Sequence, residues 1–151
     1  DSKDGRVELL QEIKTMPESY YKNNPLPNYQ KFESDKDEKN TSGMADLSLT
    51  MPSDVHISHD GKYVWVANRS FKNGGIISYK VNNDYTLTEI GWMKIDGGDP
   101  RGFNITEDDK MMIVGICDKN KVEIYNLENG IPSTLNSSTR INSPASFAFY
   151  K

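Results

Sequence analysis

The sequence predicts an all-β protein assembled from repeated four-stranded antiparallel units. Three observations predict it. The stretch Pro52–Arg69 lies without a gap over Pro100–Cys117, 48 residues further on. Pro144-Ala-Ser-Phe-Ala-Phe-Tyr-Lys151 then opens the same pattern a third time. Within each copy, short β-rich runs are separated by turn signals such as His59-Asp-Gly61 and Asn82-Asn-Asp84, which is how antiparallel hairpins are written. A repeat of about 40 to 50 residues made of short strands is the pattern of a β-propeller, one supersecondary unit per blade. A two-sheet sandwich is the alternative, but it leaves the proline at one phase of three copies unexplained. The expected architecture is therefore a partial propeller, with about two full four-stranded blades and pieces of two flanking blades.

The elements follow in order. Gly5–Lys14 carries apolar residues at 7, 9, 10 and 13, too short and irregular a set to separate helix from strand by period. From Tyr20 to about Thr50 the composition changes. Asn23-Asn-Pro-Leu-Pro-Asn28 is turn-rich and Glu33–Gly43 holds no aliphatic residue, so burial cannot offset its ordering entropy. Residues 20–50 are expected to be a loop insertion. The first complete unit has strands at Asp54–Ser58, Tyr63–Ala67, Ile76–Val81 and Leu87–Ile95. The second has them at Gly102–Thr106, Met111–Ile116, Lys121–Leu127 and, more weakly, Thr134–Ile141. Its first turn, Glu107-Asp-Asp109, lacks the glycine of Gly61 and is expected to make the weaker hairpin. No helix is expected. The domain reading is one propeller segment: 1–19 the end of a blade, 20–50 the loop, 51–97 and 98–141 full blades, and 142–151 the inner strand of a closing blade.

Composition excludes several function classes. A net charge of −4 with no cluster of Lys and Arg in sequence argues against nucleic acid, which requires phosphate neutralisation. No apolar run reaches the 18 residues of a membrane span, so no membrane partner is expected. One cysteine, Cys117, cannot make an internal disulfide and suits a reducing, cytoplasmic compartment; it reads as a small packed residue. Sequons occur at Asn40, Asn68, Asn104 and Asn136, but Asn68 and Asn104 fall in expected strands, where a glycan would clash. Two histidines, one cysteine and scattered carboxylates give no metal-ligand spacing. There is no glycine-rich phosphate loop and no Ser-His-Asp order. No cofactor is expected.

Ser53-Asp-Val-His-Ile-Ser-His-Asp-Gly-Lys-Tyr-Val-Trp-Val-Ala-Asn-Arg-Ser70 and Asp99-Pro-Arg-Gly-Phe-Asn104 resemble the seven-bladed β-propeller lactonase family. The likeness extends to Met16-Pro-Glu18 and Asn142-Ser-Pro144. That family contains bacterial 6-phosphogluconolactonases and fungal carboxymuconate cyclases, and its members run to well over 300 residues. The resemblance implies that this chain is like the carboxyl-terminal portion, with the remaining blades as its partners in the ring, and it favours an outer strand near residues 5–14. An acidic residue and a further histidine of the family's chemistry would lie in other blades, so this segment alone is expected to be inactive.

Blade topology then places the candidate site. The start of each first strand and the end of each second strand share one face. Arg101 holds the first kind of position, Arg69 the second, and His56 lies on an inner strand two residues after Asp54. Guanidinium forks match carboxylate or phosphate, so Arg69 and Arg101 are expected to bind a small anionic lactone or carboxylate. His56 is the candidate base that activates water, with an arginine holding the oxyanion. Each has a plainer reading: a salt-bridged strand-end arginine for Arg69 and Arg101, a bond to the neighbouring blade for His56. His59 sits in an exposed turn, outside the chemistry. Trp65, Trp92, Tyr63 and Tyr79 read as packing between sheets. The expected function is hydrolysis of an anionic sugar lactone; the alternatives are cyclisation or ring opening of a carboxymuconate-type diacid, and a non-catalytic propeller that binds a partner by its rim.

Overall fold

Ser58 and Thr106 do the same work 48 residues apart. The Ser58 hydroxyl donates to Asp60 (2.8 Å) and accepts the Lys62 and Tyr63 amides (2.9 Å each). The Thr106 hydroxyl donates to Asp108 (2.7 Å) and accepts the Met111 amide (3.0 Å). A short hydroxyl followed by a carboxylate two residues on satisfies the donors that a tight turn strands. In this computed structural model, which describes residues 8–23, 50–70, 73–95 and 98–150, those two turns open two sheets of the same plan. The first is β1 (Met51–Ile57), β2 (Tyr63–Arg69), β3 (Gly75–Val81) and β4 (Leu87–Lys94). The second is β5 (Pro100–Ile105), β6 (Met111–Ile116), β7 (Lys121–Glu128) and β8 (Ile131–Arg140). Each is antiparallel throughout, in sequence order. The protein is all-β in the form of two propeller blades.

The strands that form are those whose alternation and turns are clear in sequence. Glu107-Asp-Asp109 closes its hairpin without glycine because Asp109 itself takes positive φ (55°), the conformation Gly61 (72°) has in the first sheet. Aspartate tolerates that region better than most side chains. The turn is therefore built like its counterpart. β8 is longer than the weak run predicted, at ten residues, because β7 offers it a full edge.

The core lies between the sheets. Trp65 and Ala67 of β2, Ile76 of β3 and Ile95 pack with Phe103 and Ile105 of β5 and Met112, Val114 and Ile116 of β6. The period-2 spacing of the β6 residues puts all three on one face, and full burial of each such side chain is worth about 1.5–3 kcal/mol. Trp65 also seats the outer hairpin of the second sheet, its indole donating to the Gly130 carbonyl at 2.7 Å. Gly130 has φ +78°, and a Cβ there would fall on the Tyr63 ring, so no other residue fits this approach.

Three regions depart from the sequence reading. Glu18–Asn23 forms a six-residue helix, α1, where none was expected; Pro17 precedes it, and Lys14 reaches Glu18 at 3.0 Å. Residues 8–17 form no outer strand. They hold to the first sheet through side chains and carbonyls instead. Gln11 copies a strand partner at the β4 edge, donating to the Leu87 carbonyl (3.0 Å) and accepting the Leu87 amide (2.6 Å). Tyr79 donates to the Lys14 carbonyl (2.6 Å), Asn68 donates to that of Thr15, and Met16 is buried. Burial pushes the Tyr79 phenol well above its ordinary range. Residues 144–150 join no sheet, although they run beside β5: Asn104 donates to the Phe147 carbonyl at 3.1 Å. The expected loop over 20–50 begins inside α1; residues 24–49 lie outside the described ones.

Candidate functional site

Both inner strands carry the same irregularity near their start. The β1–β2 register skips Ser53 between Pro52 and Asp54, and the β5–β6 register skips Arg101 between Pro100 and Gly102. Proline cannot donate to a ladder and is tolerated at such bulges, and a bulge leaves one residue unpaired and re-aims it. In β1 that residue is Ser53, whose hydroxyl donates across the seam to the Pro100 carbonyl at 2.7 Å. In β5 it is Arg101, which is exposed. The bulge is thus the reason a guanidinium stands clear of the sheet here.

Arg69 has a different environment. Its Nε lies 2.6 Å and its Nη2 3.2 Å from the two carboxylate oxygens of Asp99. That is a bidentate pair across the two sheets, with the aspartate side chain only 9% exposed. The Asp99 hydrogen bond raises the Arg69 pKa, burial opposing it. Asp99 is itself fixed: its amide donates to Asp118 (2.9 Å) and its carbonyl accepts the Cys117 amide (3.0 Å). Arg69 therefore clamps the segment that leads into Arg101. The sequence reading did not single out Asp99, although an acid directly before Pro100-Arg101 was there to be seen.

His56 lies on the same seam. Its Nε2 is 3.4 Å from an Asp54 carboxylate oxygen, and its ring meets Phe103 edge-on, centroids 4.7 Å apart. The same Asp54 oxygen accepts the Phe103 amide at 3.1 Å. Asp54 thus ties β1 to β5 while touching the imidazole, which keeps about a third of its side chain exposed. Asn104, which the repeat lays over His56, reaches the next segment at Phe147; contact across the seam is the common property of this position.

The structure pairs Arg69 with Asp99 and Ser53 with Pro100, and separately groups His56, Asp54 and Phe103, with Arg101 on the chain between the two groups. All line the seam where β1 and β5 begin. His59 is elsewhere, at the β1–β2 turn. Cys117, over which Arg69 falls in the repeat, is half-buried. Asn68 is fully buried and its amide is engaged by Thr15, which leaves no room for a glycan. Among the described residues no group of three His, Cys, Asp or Glu side chains is placed to hold a metal, and no helix is long and apolar enough to cross a membrane.

The family profile described as lactonase, seven-bladed β-propeller, matches residues 1–149. The chain belongs to that family. Two uncharacterised proteins of Lactococcus lactis, from subspecies cremoris and lactis, are 29% and 27% identical over 122 residues, 80% of this chain and 28% of each of theirs. The chain thus spans little more than a quarter of the length of these relatives. Among solved structures, a candidate 6-phosphogluconolactonase of Bacteroides fragilis is 30% identical with TM-score 0.61, over 66% of this chain and 28% of that one. One from Bacteroides uniformis is 31% identical with TM-score 0.57, over 62% and 27%. A periplasmic gluconolactonase of Pseudomonas aeruginosa, 19% identical with TM-score 0.60 over 64% and 27%, shares the fold.

Proposed function

We propose that this lactonase-family chain supplies the anion-binding part of a site for an anionic sugar lactone, and that the complete propeller hydrolyses it. The observation that carries the reading is the seam: Arg101 stands exposed at a bulge, next to a segment that the Arg69–Asp99 pair holds rigid. A guanidinium whose backbone is fixed in advance loses little freedom on meeting a carboxylate or phosphate, so more of the contact energy appears as binding. Arg101 is the residue that contacts the anion, and Arg69 positions it. His56, with Asp54 on one nitrogen, presents the other side of its ring for taking a proton from water. The family and its two Bacteroides neighbours support the substrate class.

The test uses the full-length protein of which these blades are part, assayed on 6-phosphogluconolactone and on unphosphorylated gluconolactone. Arg101→Ala is expected to raise KM for the charged lactone roughly tenfold to a hundredfold, the loss of a charge-assisted hydrogen bond, with a smaller change for the neutral one. Equal kinetics for parent and variant on the charged lactone would remove Arg101 from the site and favour a propeller that binds a partner by its rim.

A further inference from the structure

Away from the seam, each sheet leaves a cleft at the same place, beside the start of its third strand and the end of its fourth. In the first sheet Asn73, Trp92 and Lys94 line it with residues of and before α1. In the second it is a shallow, open depression of about 340 Å³ lined by Lys119, Asn120, Lys121, Ser138, Thr139 and Arg140. Three cationic residues and two hydroxyl-bearing ones line it, in a chain whose net charge is −4.

The charge is held against a penalty. Lys121 and Arg140 are direct partners across the β7–β8 ladder, and like charges so placed oppose each other. Glu123 takes the Lys121 ammonium at 2.7 Å and also accepts the Tyr125 hydroxyl. Asp118, the nearest acid in sequence to Lys119, is committed to the Asp99 amide. Lys119 and Arg140 have no ion-pair partner among the described residues. Among the described residues, two cations without an ion-pair partner therefore share a cleft with Asn120, Ser138 and Thr139, and no carboxylate lines it.

We propose that this cleft binds the phosphate of a small phosphomonoester. Such a group carries about −1.5 to −2 charges at neutral pH and several strong acceptor oxygens, which matches two cations with polar residues beside them. Arginine supplies the planar fork and lysine the point charge. The volume is at the small end of metabolite sites, enough for the phosphate and a few carbons. The inference does not depend on the lactonase reading, since none of these residues belongs to the seam.

Calorimetric titration of the 151-residue chain at low ionic strength tests it, with inorganic phosphate and glycerol 3-phosphate as probes and glycerol as the unphosphorylated control. Saturable binding of both phosphates and none of glycerol is expected. Arg140→Gln should weaken it roughly tenfold or more, and Arg140→Gln with Lys119→Gln further still. Lys80→Gln, at an exposed position of β3 outside both the seam and this cleft, should leave it unchanged. These side chains are surface residues, and circular dichroism verifies that each variant keeps its fold. Amide chemical-shift changes on adding phosphate should centre on Ser138 and Thr139. Absence of saturable binding, an unaltered affinity in the double variant, or loss of binding in Lys80→Gln would each overturn the proposal.

Discussion

The two sheets share a plan and differ in what lies against them. Val55 and Ile57 of β1 are 62% and 59% exposed, while Phe103 and Ile105, the residues the repeat lays over them, are 1% and 3% exposed. All four are apolar, so polarity does not separate them. The difference is the neighbour: β5 has the first sheet against its flank, and the corresponding flank of β1 has no described residue on it. In a repeat protein, stability is a sum of each unit's own terms and its contacts with adjacent units, and here that sum can be read from one residue pair. Phe103→Ala is expected to cost about 3–5 kcal/mol, whereas Val55→Ala should stay within about 0.5 kcal/mol. Urea unfolding of the two variants checks it. Equal losses would mean that position in the unit, not the adjacent sheet, decides burial.

What could be read from the amino-acid sequence follows the same division. Local terms were legible. The Gly61 turn, the Asn82–Asp84 turn and the alternation in Met111–Ile116 each state their structure within a few residues, and the strands fall where those signals put them. Cross-seam terms were not. Nothing near Arg69 announces Asp99, thirty residues away, because the pair depends on how one sheet lies on the next. The same holds for Ser53 reaching Pro100 and for Asp54 accepting the Phe103 amide. Gln11 imitates a strand partner with its side chain, which no period in residues 5–14 could express. For the candidate site, residue type alone does not distinguish the two arginines; only coordinates separate Arg69, paired with Asp99, from Arg101, exposed at its bulge.

Asp109 and Gly61 sharpen the comparison. Both have positive φ, but Asp109 has a second role. Its carboxylate accepts the His59 amide (3.0 Å) and the Asp60 amide (3.3 Å) of the other sheet's turn and lies 3.0 Å from His59 Nδ1. The residue that stands in place of glycine thus fastens one hairpin to the other. Gly61→Ala meets open space, so its loss should be the backbone strain alone, about 1 kcal/mol. Asp109→Ala keeps that strain and removes the cross-sheet acceptor, for a loss of about 2 kcal/mol. Asp109→Gly relieves the strain while removing the acceptor and should fall within about 1 kcal/mol of the parent. If Asp109→Gly is clearly stabilising, the bonds to His59 and Asp60 contribute nothing and the latch is incidental.

The smallest contrast is between Asp60 and Asp108, the carboxylates of the two matched turns. Hydrogen bonding by the Lys62 ammonium, then by Ser58 and the Lys62 amide, lowers the Asp60 pKa to about 2. Thr106 and the Lys110 amide lower that of Asp108 as well. The lysines differ: Lys62 Nζ is 2.7 Å from Asp60, but Lys110 Nζ is 3.9 Å from Asp108. A carboxylate depressed in the folded state stabilises it above the unfolded pKa of about 3.9, and that contribution disappears as pH falls through the folded pKa. For Asp60 the window runs from about pH 4 down to about pH 2. Both carboxylates are at the surface and solvent screens them, so the effect is a slope in the urea midpoint between pH 5 and 2, not a loss of fold. Asp60→Asn should flatten that slope more than Asp108→Asn does, and carboxyl-carbon NMR should place the Asp60 midpoint below that of Asp108. Equal flattening would assign the shift to the hydroxyl and amide donors common to both turns and leave the closer lysine without a share.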